Sequence, residues 1–428
     1  MIKKFLVLFT LLISTSFLAQ RTSLSPYSFF GIGEEFSPVT VEQASMGGIG
    51  VAFSHYKYLN FTNPAAIANL RYTTYGFGGT HKELKLKSAT STQSSSLTTF
   101  NYVGIGFPIG KKAGFGVGIQ PVSSVGYELE NTILDANGDI TELSLFEGNG
   151  GVNRIYFNLG FLLFKDLALG AKASFNFGNI NNTIIDQRVG LSLGTKYEEI
   201  TQVRGSAIQL GAQYKKAVKD DLTITAGAAV KLSNEMRVNG DDYLYSVILL
   251  GAAQIPRDTL STSGISGTFQ MPLKSTLGIG IGKTDKWYAG VEYETQDAYQ
   301  TSGFLSTTNT AFRYGNSNRI GIGGFYIPKI NSISSYFDRI TYRFGIRMEN
   351  TGLLVDGSGT NSNFSEIKDF GISFGLGIPL KRLSTMNVGF EYGKRGSTDN
   401  NLIQENYLNL RLSLSLTDVN WFIKRRID

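Results

Sequence analysis

The sequence predicts an all-β fold: a transmembrane antiparallel β-barrel of about fourteen strands with an N-terminal plug segment. Three observations carry this. Apolar residues recur at every second position through long segments. The links between these segments alternate between tight and loose. After residue 19 no apolar run approaches the roughly 20 residues that a helix needs to cross a bilayer.

The chain opens with a secretion-signal pattern. Lys3 and Lys4 precede a short apolar core, Phe5 to Ile13, and then the small residues Ser14, Thr15, Ser16 and Ala19. That core is too short for a membrane span and fits a cleaved signal peptide over 1–19, with cleavage near Ala19–Gln20. The chain contains no cysteine, which excludes a disulfide framework and thiolate metal sites. Net charge is +6, or +4 without Lys3 and Lys4, and it is spread along the chain, so nothing points to nucleic acid. Glycine is abundant at 50 residues and proline scarce at 9, with no linker to divide the chain into domains.

Alternation is clearest near the end. Leu408, Leu410, Leu412, Leu414 and Leu416 interleave with Asn409, Arg411, Ser413 and Ser415. Successive side chains of a strand point to opposite faces, so one face is greasy and the other wet. Ile155 to Leu163, Leu167 to Phe177 and Phe370 to Ile378 repeat the pattern. The strands so predicted are 72–88, 96–109, 112–128, 151–164, 167–184, 203–216, 221–237, 271–283, 286–302, 311–327, 338–349, 367–379, 384–394 and 404–417. Most exceed the usual soluble strand of about 5–6 residues.

One set of links is tight: Gly110-Lys111, Lys165-Asp166, Lys219 to Asp221, Lys283 to Asp285 and Lys381-Arg382, with 328–337 longer. The other set includes 129–150, 185–202, 238–270 and 350–366. Short periplasmic turns, long outer loops and an even strand number are the pattern of outer-membrane barrels. A soluble propeller would repeat a blade motif at about 40–50 residues, and none is present. A soluble sandwich would charge its outer face, whereas the polar positions here are rich in Gly, Ser and Asn, as in a crowded lumen.

Residues 20–70 are expected to form the plug, 71–417 the barrel and 418–428 a short basic periplasmic tail. Within the plug Gly47, Gly48 and Gly50 permit tight turns. Asn63-Pro64 signals a turn, and Ala65 to Leu70 suits one short helical turn.

The run Ala44, Met46-Gly47-Gly48, Val51-Ala52, Asn63-Pro64-Ala65 and Leu70 resembles the plug of FadL-type outer-membrane transport proteins. Ser25-Pro26-Tyr27-Ser28 with Gly31-Ile32-Gly33 resembles the Bacteroidota version. The resemblance is specific over about residues 25–75. It implies a fourteen-strand barrel that takes up hydrophobic compounds such as long-chain fatty acids passively, with plug movement and lateral exit beside a kinked third strand. An acidic residue that often follows the glycine pair in the family is not matched, Ser54-His55-Tyr56-Lys57 standing there. The chain also runs past its last strand through Trp421-Phe422 to Lys424, Arg425 and Arg426.

Pro121 has no N–H to give a strand ladder. It marks either the lateral-opening kink or merely the end of the third strand. Arg339, Arg343 and Arg347 fall on one face of the eleventh strand and should face the lumen, because arginine on the lipid face costs about 2–4 kcal/mol at the midplane. There they would hold a ligand carboxylate or pair with Glu292, Glu294, Glu391 or the plug. Tyr72, Tyr102, Tyr127, Tyr214, Trp287, Tyr288, Tyr326, Tyr342, Tyr392 and Tyr407 read as interface girdles. His55 and His81 are the sole histidines, and no nucleophile elbow or metal-ligand spacing exists, so no enzyme, cofactor or metal site is expected. Expected partners are outer-membrane lipid and a hydrophobic small molecule. A second reading is a non-transporting barrel subunit of an outer-membrane export or envelope assembly, with other outer-membrane or periplasmic proteins as partners. A continuous greasy lumen would favour the first; a lumen packed shut would favour the second.

Overall fold

The computed structural model describes residues 25–219, 221–250, 253–303 and 311–418. The expected signal peptide and most of the tail lie outside them. Fourteen strands close into one antiparallel barrel. The first half is β1 (Thr73–Lys87), β2 (Thr92–Ile109), β3 (Ala113–Leu134), β4 (Ile140–Leu162), β5 (Leu167–Arg188) and β6 (Gly194–Ala217). Four strands are each interrupted once: β7 (Leu222–Lys231 and Asn234–Leu250), β8 (Ala253–Met271 and Lys274–Lys283), β9 (Trp287–Gln296 and Gln300–Ser302) and β10 (Phe312–Tyr314 and Ser317–Tyr326). The last four are β11 (Thr341–Val355), β12 (Ser365–Pro379), β13 (Thr385–Arg395) and β14 (Gln404–Asp418). β14 pairs with β1 from Gln404↔Lys87 to Asp418↔Thr73 and closes the wall.

The alternation has the expected physical outcome. On β4, Phe157 and Leu159 point outward at 55% and 50% exposure, while the intervening Asn158 is buried at 3%. An outward apolar belt and an inward polar face are what a membrane barrel requires. Tight turns and the C-terminal end of β14 lie at one rim, which by the pattern of outer-membrane barrels is named the periplasmic rim.

The strands differ from expectation chiefly at their outer ends. The segments 129–150, 185–202 and 238–270, expected as loops, are mostly strand. Beyond the bilayer the outward face meets water instead of lipid while the inward face packs on the filled lumen, so the apolar-outward alternation ceases and the sequence there reads like loop. The girdle expectation is also corrected. Tyr214, Tyr326 and Tyr392 are exposed, but Tyr102, Tyr127, Tyr288 and Tyr407 are buried inside the barrel.

Residues 25–70 run inside the barrel from the outer rim to the periplasmic rim. Ser25 caps a 3-10 turn, Pro26–Phe29, and hydrogen bonds Glu405 of β14. Thr40 and Gln43 form a reciprocal capping box on the short helix α1 (Val41–Ala44). Asn63 accepts a hydrogen bond from the Ala65 N–H to start the 3-10 turn Pro64–Asn69, matching the expected turn.

Candidate functional site: the lumen and its N-terminal segment

Period-two geometry aims every second residue of each strand at the lumen, and the pairing register then aligns these residues across neighbouring strands. One rung of the register runs Glu294 (β9), Arg319 (β10), Glu349 (β11), Asp369 (β12), Arg395 (β13) and Glu405 (β14). It is a belt of charge across six adjacent strands. Arg347 lies just inward of it and meets Glu349, Asp369 at 3.2 Å, Glu391 at 3.2 Å and the Tyr407 hydroxyl at 2.8 Å. Arg411 also pairs with Glu391. Such buried groups persist only when each is paired.

The N-terminal segment completes this belt. Glu34 pairs with Lys82 at 3.2 Å and Arg395 at 2.6 Å. Glu35 pairs with Lys274 at 3.5 Å and accepts a hydrogen bond from Tyr299. Lower down, the Gly50 and Val51 N–H groups donate to Glu292, each at 2.7 Å, and Arg319 holds the other oxygen of that carboxylate at 2.7 Å. Lys172, buried in the wall, donates to the Phe61 carbonyl at 2.8 Å. Glu42 of α1 accepts from Asn387 at 2.9 Å and Ser415 at 2.6 Å.

Glycine on the lumen face lets the segment lie against the wall. A Cβ at Gly345 would sit 2.0 Å from the Gly47 nitrogen, and one at Gly227 would sit 2.0 Å from the Val51 carbonyl oxygen. The plug residues expected from sequence are brought together here. Gly47 donates to Ser373 at 3.1 Å and Gly48 accepts from Arg319. Gly47 and Gly48 take φ of +70° and +79°, the left-handed region that favours glycine. The Asn63 amide donates to Val51 and to Ala212 of β6 at 2.7 and 2.9 Å. Pro64 and Ala65 pack against Gly170 of β5.

The wall is interrupted beside Pro121. β2 and β3 pair only between Val103↔Ile119 and Ile109↔Ala113. Farther out, β2 pairs with β1 and β3 with β4. Pro121 lies within β3, next to a register shift between Pro121 and Ser123, and not at the strand end, the other position the sequence left open. Behind the break the two-residue strand Glu34–Glu35 pairs with Ser124 and Ser123, and the Phe36 N–H donates to Val122 at 2.9 Å. A cavity of about 180 Å³ with a mixed polar and apolar lining lies between this segment and the wall, bordered by Pro121, Lys82, Arg347 and Arg395 and also by Phe36, Val39 and Leu97.

The outer lumen has an apolar core, and the chain's own residues fill it. Ile32 packs with Val122, Val125, Tyr127, Met236 and Phe269, and Phe29 joins them. Tyr27 and Phe30 pack with Phe312, Leu353 and Ile367.

Arg343 donates to Asn387 at 3.0 Å and lies over the Tyr58 ring of the plug. Arg347 is committed to the acids named above. Arg339 is a correction: it belongs to the 3-10 turn Phe337–Arg339 at the periplasmic rim, stacked over Tyr336, and not to β11. A turn reading Tyr336 to Ile340 extends the strand alternation by chance. Sequence reasoning missed Glu34 and Glu35, whose signal was two adjacent acids in an otherwise uncharged segment, Arg319 and Asp369, which occupy wet positions of predicted strands, and Arg395, which directly follows the predicted strand 384–394. Among the described residues no cluster of His, Cys, Asp or Glu could hold a metal ion.

No curated protein matches the chain significantly. The fold is shared with outer-membrane channels of known structure. The Ralstonia pickettii toluene transporter TbuX aligns with a TM-score of 0.58 at 16% identity, covering 90% of this chain and 98% of that one. The Pseudomonas putida toluene transporter TodX gives 0.59 at 14%, covering 89% and 99%. A Pseudomonas aeruginosa FadL homologue gives 0.59 at 12%, covering 90% and 98%. The FadL-type resemblance of the sequence is therefore met in the fold, and these neighbours are channels, not enzymes. The family model that matches is that of BamG, over residues 1–428, and the chain belongs to the BamG family.

Proposed function

We propose that this protein is a closed outer-membrane barrel that serves as a non-transporting subunit of an outer-membrane assembly. The observation that carries the reading is the occupancy of the lumen. From rim to rim the N-terminal segment is held by charge-assisted hydrogen bonds to β1, β8, β9, β13 and β14, and its own aromatic residues take the apolar space in which a hydrophobic ligand would lie. Displacing it would leave several buried charges unpaired, each at several kcal/mol. The lateral break, where a ligand would exit, is backed by Glu34–Glu35.

A second reading is passive uptake of hydrophobic compounds. The specific support for it is the interrupted β2–β3 wall beside Pro121, together with the fold shared with the toluene transporters. Uptake would require the segment Ser25 to Phe36 to leave the outer lumen. Arg343 and Arg347 would contact a ligand carboxylate only after giving up their present partners.

The test is native mass spectrometry of the protein extracted from its own outer membrane in mild detergent. A stoichiometric protein partner without bound small molecule supports the assembly reading. An added mass of a few hundred daltons, identified as acyl or aromatic, with no protein partner, would replace it with the uptake reading.

A further inference from the structure

The barrel is taller on one side. On β3, β4, β5 and β6, and on the outer parts of β7 and β8, the strands continue well past the lipid-facing belt. On β4 that belt ends near Ile155, and the strand reaches Ile140. These fifteen residues are roughly 50 Å of strand at about 3.3 Å each. Even tilted by about 45° they rise on the order of 35 Å, beyond the reach of hydrocarbon.

This crest has two properties that water alone does not explain. Its tips are aliphatic. Ile133, Leu134 and Ile140 end the β3–β4 hairpin, Val189, Leu191 and Leu193 lie in the β5–β6 link, and all six are between 36% and 66% exposed. The two tips adjoin: Arg188 pairs with Glu142, and the Val189 N–H donates to the Thr141 carbonyl at 3.0 Å. The crest is also acidic. Residues 122–153 contain Glu128, Glu130, Asp135, Asp139, Glu142 and Glu147 and no Lys or Arg. Over 122–153, 178–205 and 234–267 there are thirteen acids against five bases, a net −8 in a chain whose total is +6.

We infer that this crest is a docking surface for a protein at the cell surface whose contacting face is basic and bears aliphatic side chains. Hydrocarbon lies too low to cover the tips, and the sugar layer of the outer leaflet offers polar groups that do not match them. An apolar centre with complementary charge around it is the anatomy of a specific protein interface. The inference rests on the assembly reading and deepens it by naming the face and the chemistry of the partner.

The experiment places a photo-cross-linking amino acid at Ile133, at Leu191 or, as the lipid-facing control, at Phe157 of the full chain in its own outer membrane. The expected result is one protein captured from both tips and not from Phe157. Its cross-linked peptide carries net positive charge. Yield falls at least about fivefold when E130K and E142K are combined in the same chain, or when salt rises from about 0.1 to 0.5 M and shortens the screening length. Heat-modifiable migration on gels shows that the variant barrel is folded. Capture only of lipopolysaccharide, of a second copy of this chain, of an acidic segment, or of nothing overturns the inference. If a stoichiometric partner still co-purifies, the crest assignment alone fails; if none does, the assembly reading fails with it.

Discussion

Glu292 is the buried wall carboxylate that holds the main chain at Val51. Its oxygen lies 2.7 Å from the Val51 nitrogen, and the same atom also receives the Gly50 N–H. Three donors, counting Arg319, converge on one side chain that is 2% exposed. Removing it with Glu292→Ala leaves the Arg319 guanidinium short of its counter-charge and two amides without an acceptor. The local cost is about 3–5 kcal/mol. The expected outcome is a wall that stays folded and an N-terminal segment that trypsin cuts at Lys57 or Arg71 at least tenfold faster than in the parent protein. Equal cleavage rates would show that Glu292 does not hold the segment.

The strap across the wall break makes a separate prediction. Replacing Glu34 and Glu35 together by Ala removes the contacts to Lys82, Arg395, Lys274 and Tyr299. In planar bilayers the parent protein should pass almost no ionic current, and the double variant should open measurable, flickering conductance. A parent protein that conducts freely would contradict a closed lumen.

Glycine positions test the close fit. Gly345→Val directs a branched side chain at the Gly47 backbone, 2.0 Å from the new Cβ, where neither main chain can yield. Overpacking costs about 1–3 kcal/mol where side chains can adjust, and more here. The adjacent Phe344→Leu, on the exposed lipid face at 55%, should cost under about 1 kcal/mol. The temperature at which unheated gel mobility is lost should fall for the first and barely move for the second.

Acid should loosen the periplasmic end. His55 stacks on Tyr56 and lies 3.3 Å from Asp285 in the β8–β9 turn. Burial depresses its pKa from 6.5 to about 4, against the opposing pull of Asp285. A depressed histidine favours the folded form while it is neutral. Its contribution is therefore complete above about 6.5, declines as pH falls toward 4 and is exhausted below that. The ceiling is about 3 kcal/mol. Asp285 is held below its ordinary range, burial opposing and His55 and Tyr56 lowering it, so its contribution is also lost on acidification. Protease access to residues 54–58 should rise between pH 7 and pH 5, and His55→Asn should flatten that response.

Much of this molecule was legible because a bilayer enforces a strict rule. Lipid on one side and a filled lumen on the other leave a period-two signature, and it set the number of strands, the tight turns and the outward face of residues such as Phe157. Where the rule lapses, the reading lapsed. Residues 140–150 have water instead of lipid on their outer face, while Ser144 and Phe146 turn to the packed outer lumen, and they read as loop although they are strand. Tyr102 and Tyr407 had the composition of a girdle but the parity of the lumen, and parity decided. Arg347 was placed in the lumen by its cost in lipid. Its partners Asp369 and Glu349 depend on the register between separate strands, which a single chain does not spell out. The sequence showed Glu34 and Glu35 only as a pair of acids; their role follows from two basic walls that meet them from strands distant in the chain.

The path of the N-terminal segment bears on how the molecule is made. Ser25 bonds Glu405 across 380 residues of sequence, and Glu42 bonds Ser415 across 373. The first described residues thus find their partners on the last strand, and the seam between β14 and β1 shuts around them. Until the final strand arrives, Ser25 and Glu42 lack these two partners, although the rest of the segment has others on earlier strands. Contacts of such long range are slow to form. A chain that stops before β14 would therefore lack both its closing seam and the partners that Ser25 and Glu42 find on it, so the two ends of the chain are secured in one step.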